Sequence, residues 1–325
     1  MIIKNVARKL LRIKDILNTS IKEIFLTLFG KDDVKYLEAN MLVVAHSLEK
    51  GLSMKNIKVG FGQKKATNLC YYIEEYNKKS PGNTDYPLIE SIGILTSYLH
   101  YQNQQNHDIG ILDERIRNII NGMSDKQKQT LSQYSYGTKI IEASFFEKGK
   151  SFNLEEFVST RRSVRAYNDK PIQISDLYKA INIANYSPSA CNRQPSSVYV
   201  ALGGDMAVKI RGLLKGNQSF TNCVENFAVV TCDRSSFFGN EQFQWYINGG
   251  IYLANFVLSL HSLGIGSCIM QWFAFNENEN KLKKLMNIRH SEAIIAVVSM
   301  GYYPDNAKCL CAQRKPVEET LKILS

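Results

Sequence analysis

The sequence predicts an α+β protein, all-helical over roughly the first 150 residues and then alternating between helices and short strands arranged as a mixed sheet flanked by helices. Two observations lead there. Apolar residues recur at three- and four-residue spacing through the first part, the signature of amphipathic helices. After residue 150, β-branched runs of strand length appear between helical stretches. At 325 residues the chain is too long for one minimal domain and suits two modest ones. We therefore expect a helical region over 1–150 and a second domain over 151–325.

The elements follow in order. From Met1 to about Gly30, Val6, Leu10, Ile13, Leu17, Ile21, Ile24 and Leu28 form one stripe, with Lys4, Arg8, Lys9, Arg12 and Lys14 among them. This is an amphipathic helix with a basic start. It either docks on the protein's own core or makes peripheral contact with a membrane surface, and the sequence leaves both open. Helical patterns follow at about 35–52, 64–79, 84–105, 109–121 and 137–148. In the first of them His46, Glu49 and Lys50 share a face at i, i+3 and i+4, and Gly51 is placed to end the helix. Such a polar face either lines a pocket or caps the helix end. Ser175-Asp176 begins a helix that Pro188 stops. Strands are expected at Val198–Leu202, Phe227–Thr231, Ser267–Gln271 and Ala293–Ser299. The segment Glu241–Leu263, apolar on most sides, reads as a buried helix.

Composition narrows the function. The net charge is +10, with 22 Lys and Arg against 16 Asp and Glu in residues 1–150 and 18 against 14 in the remainder. Neither half shows the clustered basic footprint of a nucleic-acid binder, so no nucleic-acid partner is expected. The seven cysteines are odd in number and scattered, which argues for reduced thiols and a cytoplasmic setting. Cys309-x-Cys311 lacks a second pair and the histidines lack ligand spacing, so no metal site is expected. Neither a signal-peptide core nor a membrane-spanning apolar run is present, and a soluble protein is expected.

Two motifs carry the chemistry. Ser159-Thr160-Arg161-Arg162-Ser163-Val164-Arg165-Ala166-Tyr167 sets three arginines and a hydroxyl within five residues, a donor set suited to a phosphate monoester. In an extended backbone Arg161, Ser163 and Arg165 share one face; in a helix Arg161 and Arg165 still meet. Some twenty residues on, Tyr186-Ser187-Pro188-Ser189-Ala190-Cys191-Asn192-Arg193-Gln194-Pro195 reads as a polar loop.

Together these motifs resemble the nitroreductase family of FMN enzymes. The resemblance runs from about residue 151 to the C-terminus, supported by Asn248–Trp272 and Ala312–Val317. His46-Ser47-Leu48-Glu49-Lys50-Gly51-Leu52 and Phe61-Gly62 are similar to signatures of a subgroup with a long helical N-terminal extension. The resemblance implies a nitroreductase-like fold, a homodimer and an FMN between subunits. It assigns the phosphate and ribityl oxygens to Arg161, Ser163 and Arg165, with Arg162 and the C-terminal Arg314 joining them. It sets Pro188, Ser189 and Ala190 on the flavin from the partner subunit, with Asn192 and Gln194 shaping that loop or reaching the ring. Backbone groups of Gly266, Ser267 and Met270 would lie over the flavin, and Gln271 near its hydride-accepting nitrogen. The family's pyrimidine-contacting Asn finds its best match in Asn222, with Asn217 close behind. Trp272, where glycine is often seen, and Ser196, where an aromatic often follows Gln-Pro, depart from the pattern. The implied activity is NAD(P)H-driven, ping-pong reduction of a small electron-poor acceptor, of nitro or quinone type. The alternatives are a flavin-dependent oxidase, dehydrogenase or dehalogenase acting on a specialised substrate, or a non-enzymatic flavin-binding scaffold recruited through its basic helices.

Overall fold

Burial sorts the apolar residues into one core made by helices and others built on a sheet. The computed structural model describes residues 14, 17–18, 20–21, 23–25, 33–54, 57–140, 152–214, 224–270, 272, 276–307, 309–310 and 314–324. The helical region comprises α1 (Asp33–Leu52), α2 (Gln63–Lys79), α3 (Tyr86–Gln104), α4 (Ile111–Asn121) and α5 (Asp125–Leu131). Leu37, Met41, Ala45 and Leu48 recur at helical spacing on α1 and pack against Leu69, Ile73 and Tyr76 of α2 and Leu88, Ile92 and Leu95 of α3. Among the described residues no helix is long and apolar enough to cross a membrane.

Four expected helices appear with their ends nearly in place, and the others differ or lie partly outside the described residues. Helix α5 was not anticipated, although its start is written in the sequence. Ser124 Oγ accepts from Gln127 N at 3.3 Å, and Gln127 Oε1 accepts from Ser124 N at 2.9 Å, which is a capping box. Of the helix expected at 137–148, residues 137–140 are not helical, and 141–148 lie outside the described residues. Of the one expected over 1–30, the described residues are helical and the others fall outside. Gly51 does not end α1, which continues through Leu52. A Cβ on Gly51 would lie 2.3 Å from the Phe61 ring, so the glycine admits that ring against the helix. The two subgroup signatures thus meet in space.

The second part comprises α6 (Leu154–Thr160), α7 (Ile174–Ala184), β1 (Ser196–Leu202), α8 (Gly204–Leu213), β2 (Asn226–Asp233), α9 (Gln244–Ser262), β3 (Ile265–Met270), α10 (Asn276–Met286), β4 (Glu292–Tyr302) and α11 (Val317–Thr320). The sheet order is β1-β2-β4-β3, and every neighbouring pair is antiparallel. A mixed sheet was expected; the only parallel pairing among the described residues is an isolated bridge from Ser163 to Ser267. The reason shows at the β1–β2 connection, where Gly203 N donates to Glu225 O at 2.8 Å. The chain leaving β1 therefore returns beside its own exit, whereas a parallel pair needs a crossover to the far end.

Side-chain alternation builds a layer on each face of the sheet. Ala228 and Val230 of β2 face α7 and α9 together with Ala296, Val298 and Met300 of β4. Phe227 and Val229 face the other way, with Ala207 and Ile210 of α8 and Leu282 of α10. Helix α9 is buried only on its sheet-facing side, through residues such as Trp245, Tyr252, Phe256 and Leu260. Ile247 is 54% exposed and Ile251 38%, continuing a stripe from Phe243 at 56%. The helical region docks through α1 against short turns at Ala190–Asn192 and Arg234–Ser236. Glu23 forms a buried ion pair with Arg234 across the same junction.

Candidate functional site

The arginine motif follows α6 and becomes extended at Arg161, where φ is −66° and ψ 126°. It then runs along the outer edge of β3, with Val164 N donating to Ser267 O at 3.0 Å. Val164 is buried, so Arg161, Ser163 and Arg165 take the opposite side of the segment. A Cβ on Gly266 would lie 3.0 Å from the Tyr303 ring and 3.3 Å from Val164 Cβ, so glycine permits the close approach. Burial pushes the Cys268 thiol up, and the nearby charges of Arg165 and Arg161 pull it back. Arg161 has the same effect on the Tyr303 phenol, which burial raises. Two guanidinium groups therefore act on one short stretch of sheet edge. Arg165 Nη1 donates to Ser163 O at 3.4 Å, and Arg162 Nη1 donates to Ser159 O at 2.5 Å and Arg161 O at 3.4 Å. The Arg162 guanidinium caps α6.

Gly266, Ser267 and Met270 are buried in β3. Arg314 is exposed. Asn222, Asn217 and Gln271 lie outside the described residues. Trp272 is partly buried against the α8/α10-side core.

The polar loop sits at the start of β1, on the opposite edge of the sheet. Ala190 N donates to Asn248 Oδ1 of α9 at 2.8 Å, and Gln194 N to Ser189 Oγ at 3.0 Å. Cys191, Asn192 and Gln194 have φ of 51°, 50° and 48°, a left-handed backbone that non-glycine residues rarely adopt. Asn192 Nδ2 donates to Tyr86 Oη at 2.9 Å, and Gln194 Nε2 to Asn192 Oδ1 at 3.3 Å. Of the two roles considered for these amides, the contacts display the shaping one. Pro188, Ser189, Gln194 and Ser196 line a cavity of about 220 Å³ together with Tyr86, Asn248 and Tyr252.

Arg193 is the residue of this loop that sequence reasoning passed over. Its side chain is 1% exposed and forms a fork with Glu241, at 2.6 and 2.8 Å. It also donates to Ala190 O at 2.9 Å and Ser236 O at 2.7 Å. No local spacing announces a partner 48 residues away. Tyr86 was also missed, since a tyrosine at a helix start carries no functional signature.

Behind Tyr86, Glu90 of α3 is pushed up to about 7 by burial and then by the charge of Glu49 on α1. His46 Nδ1 lies 3.5 Å from Glu49, so the polar face of the subgroup signature turns toward this corner. The folded state holds a proton on Glu90 that the unfolded chain, with a pKa near 4.5, releases first. Folding stability therefore falls as the pH rises from about 4.5 to about 7. Glu90→Gln is expected to match the wild type at pH 4 and to exceed it at pH 8 by about 1–2 kcal/mol, a figure reduced for partial exposure. Urea midpoints at the two pH values check this.

Residues 158–222 and 233–302 match the model of the Nitroreductase family. A protein of Archaeoglobus fulgidus provisionally named NADH dehydrogenase/NAD(P)H nitroreductase is 29% identical over 150 residues, covering 46% of this chain and 85% of that one. The 4-nitrobenzoate reductase of Pseudomonas putida is 24% identical over 201 residues, covering 48% and 87%. Among solved structures, an FMN-dependent nitroreductase of Clostridium difficile superposes with a TM-score of 0.46 at 18% identity, covering 53% of this chain and 99% of that one. Residues 158–222 and 233–302, which follow the helical region, are thus the part of this chain that is similar to the nitroreductase family.

Proposed function

We propose that the protein is an FMN-dependent oxidoreductase in which two copies of the chain complete each flavin site. The observation that carries this reading is the separation of the two motifs. The arginine segment lies outside β3 and the Pro188–Gln194 loop leads into β1, four strand spacings away, about 19 Å across the sheet. A second copy placed on the exposed stripe of α9 would bring its own loop to the first copy's arginines.

The donor set fits FMN. Arg161 and Arg165 supply fixed charge and forked donors for the phosphate, Ser163 adds a hydroxyl, and the β3 backbone flanks them. Arg314 and Arg162 join the proposed site by their match to the family pattern, Asn222 as the best candidate for the pyrimidine contact and Gln271 by its position near the hydride-accepting nitrogen. Bound FMN would supply hydride transfer from NADH or NADPH to a small electron-poor acceptor of nitro or quinone type, with donor and acceptor occupying the same face in turn. The protein's own part is to hold the phosphate, orient the ring and stabilise negative charge with the cations beside it. A cytoplasmic setting belongs to the same reading. A second reading, a flavin enzyme oxidising a specialised substrate, draws support from Tyr86, which brings the helical region into the wall of the loop cavity.

Ile247→Lys tests the shared site. The charge falls in the middle of the exposed stripe, 54% exposed in the single chain, so the monomer should fold normally. Light scattering should show a dimer for the wild type and a monomer for the variant, with FMN affinity falling at least roughly tenfold, since half the contacts are lost. A wild type that binds FMN as a monomer would contradict the shared site.

A further inference from the structure

We propose that the helical region is a positioning element of the flavin site, acting through Tyr86, which clamps the 190–194 turn in its left-handed conformation. The inference rests on the flavin reading above.

Tyr86 opens α3, directly after the 80–85 loop that separates it from α2, and it reaches the turn from the helical side. Its hydroxyl donates to Asn192 O at 3.0 Å and accepts from Asn192 Nδ2 at 2.9 Å. Both polar ends of one residue, in the middle of the strained turn, are thereby tied to one side chain. Burial, then the charge of Glu90, pushes the Tyr86 phenol up, so it stays protonated and able to donate. Three of the four residues from Cys191 to Gln194 hold positive φ, and such a conformation persists only where its surroundings over-determine it. On the sheet side Asn248 and the Arg193–Glu241 pair hold the turn, and on the helical side α1, packed against Ala190–Asn192, and Tyr86 itself complete the bracing. The segment Pro188–Ala190, which meets the flavin in the proposed reading, is continuous with this turn, and its Pro188 and Ser189 line one cavity with Tyr86. The helices therefore set how far that segment projects from the sheet. This gives the subgroup's helical signatures a use, since His46, Glu49 and Glu90 gather behind Tyr86.

The test is Tyr86→Phe in the full-length chain, which removes the hydroxyl and keeps the ring. Amide hydrogen exchange, FMN titration and steady-state kinetics with NADH and 1,4-benzoquinone are measured on both proteins. The expected results are faster exchange confined to residues 187–195, FMN affinity weakened about tenfold, as for two lost hydrogen bonds, and a raised quinone KM with kcat within about twofold. Unchanged exchange and FMN affinity in the variant would overturn the inference while leaving the flavin reading intact. Exchange that accelerates throughout α3 and the helical core would make Tyr86 a general stability residue and overturn it too. A wild type that takes up no FMN would overturn both.

Discussion

Arg165→Ala is expected to weaken FMN binding by roughly ten- to a hundredfold, the equivalent of one charge-assisted hydrogen bond of about 1.5–3 kcal/mol. The argument is geometric. Extended backbone along β3 puts Arg165 on the same side as Arg161 and Ser163, and its charge already acts on Cys268. Arg165→Lys should recover only part of the loss, because an ammonium cannot fork two phosphate oxygens. Arg162→Ala serves as the comparison. Its guanidinium is engaged with Ser159 O and Arg161 O, so its removal should cost FMN affinity much less. Flavin fluorescence titration measures all three. Equal losses for Arg162 and Arg165 would mean that the cluster acts through bulk charge and not through the face that β3 imposes.

Arg193→Ala is expected to lower stability by about 2–3 kcal/mol, read from denaturant midpoints, because it removes a buried guanidinium that holds the half-buried Glu241 carboxylate and two carbonyls. Glu241 would keep the Phe238 N donor at 2.8 Å, Ser236 O would lose the guanidinium donor, and Ala190 O would be left with the Arg193 N donor at 3.1 Å. The double change Arg193→Met with Glu241→Leu should recover much of the loss, since it removes both charges together. Flavin affinity should stay low in the double variant. Arg193 ties the polar loop to the segment before α9, and an apolar pair holds no carbonyl in place.

Much of this architecture was legible in the sequence where local pattern decides it. The strands at 226–233 and 292–302 are apolar over most of their length because both sheet faces are covered. The arginine segment stood out for its dense guanidinium groups, and the loop for the likeness of Pro-Ser-x-x-Asn-x-Gln-Pro to the nitroreductase pattern. What escaped depends on distant partners. Gly51 read as a helix stop, and only the Phe61 ring, ten positions on, explains it. The antiparallel sheet escaped because a helix between two strands usually signals a crossover, and the pairing of Gly203 with Glu225 removes it. Helix α9 read as buried all round, yet Ile247 and Ile251 lie open in the single chain, since the sequence pattern does not say which chain covers them. Helix α5 was a different kind of miss: Ser124 and Gln127 stood at capping-box spacing in plain view.

The most direct measurement is the visible absorption of the purified full-length protein saturated with FMN, followed by anaerobic addition of NADH or NADPH and then of a quinone or nitroaromatic. The account predicts a bound-flavin spectrum that bleaches with the nicotinamide donor and returns with the acceptor. A colourless protein that takes up no added FMN would show that Arg161, Ser163 and Arg165 do not form a flavin grip, and would contradict the account at its centre.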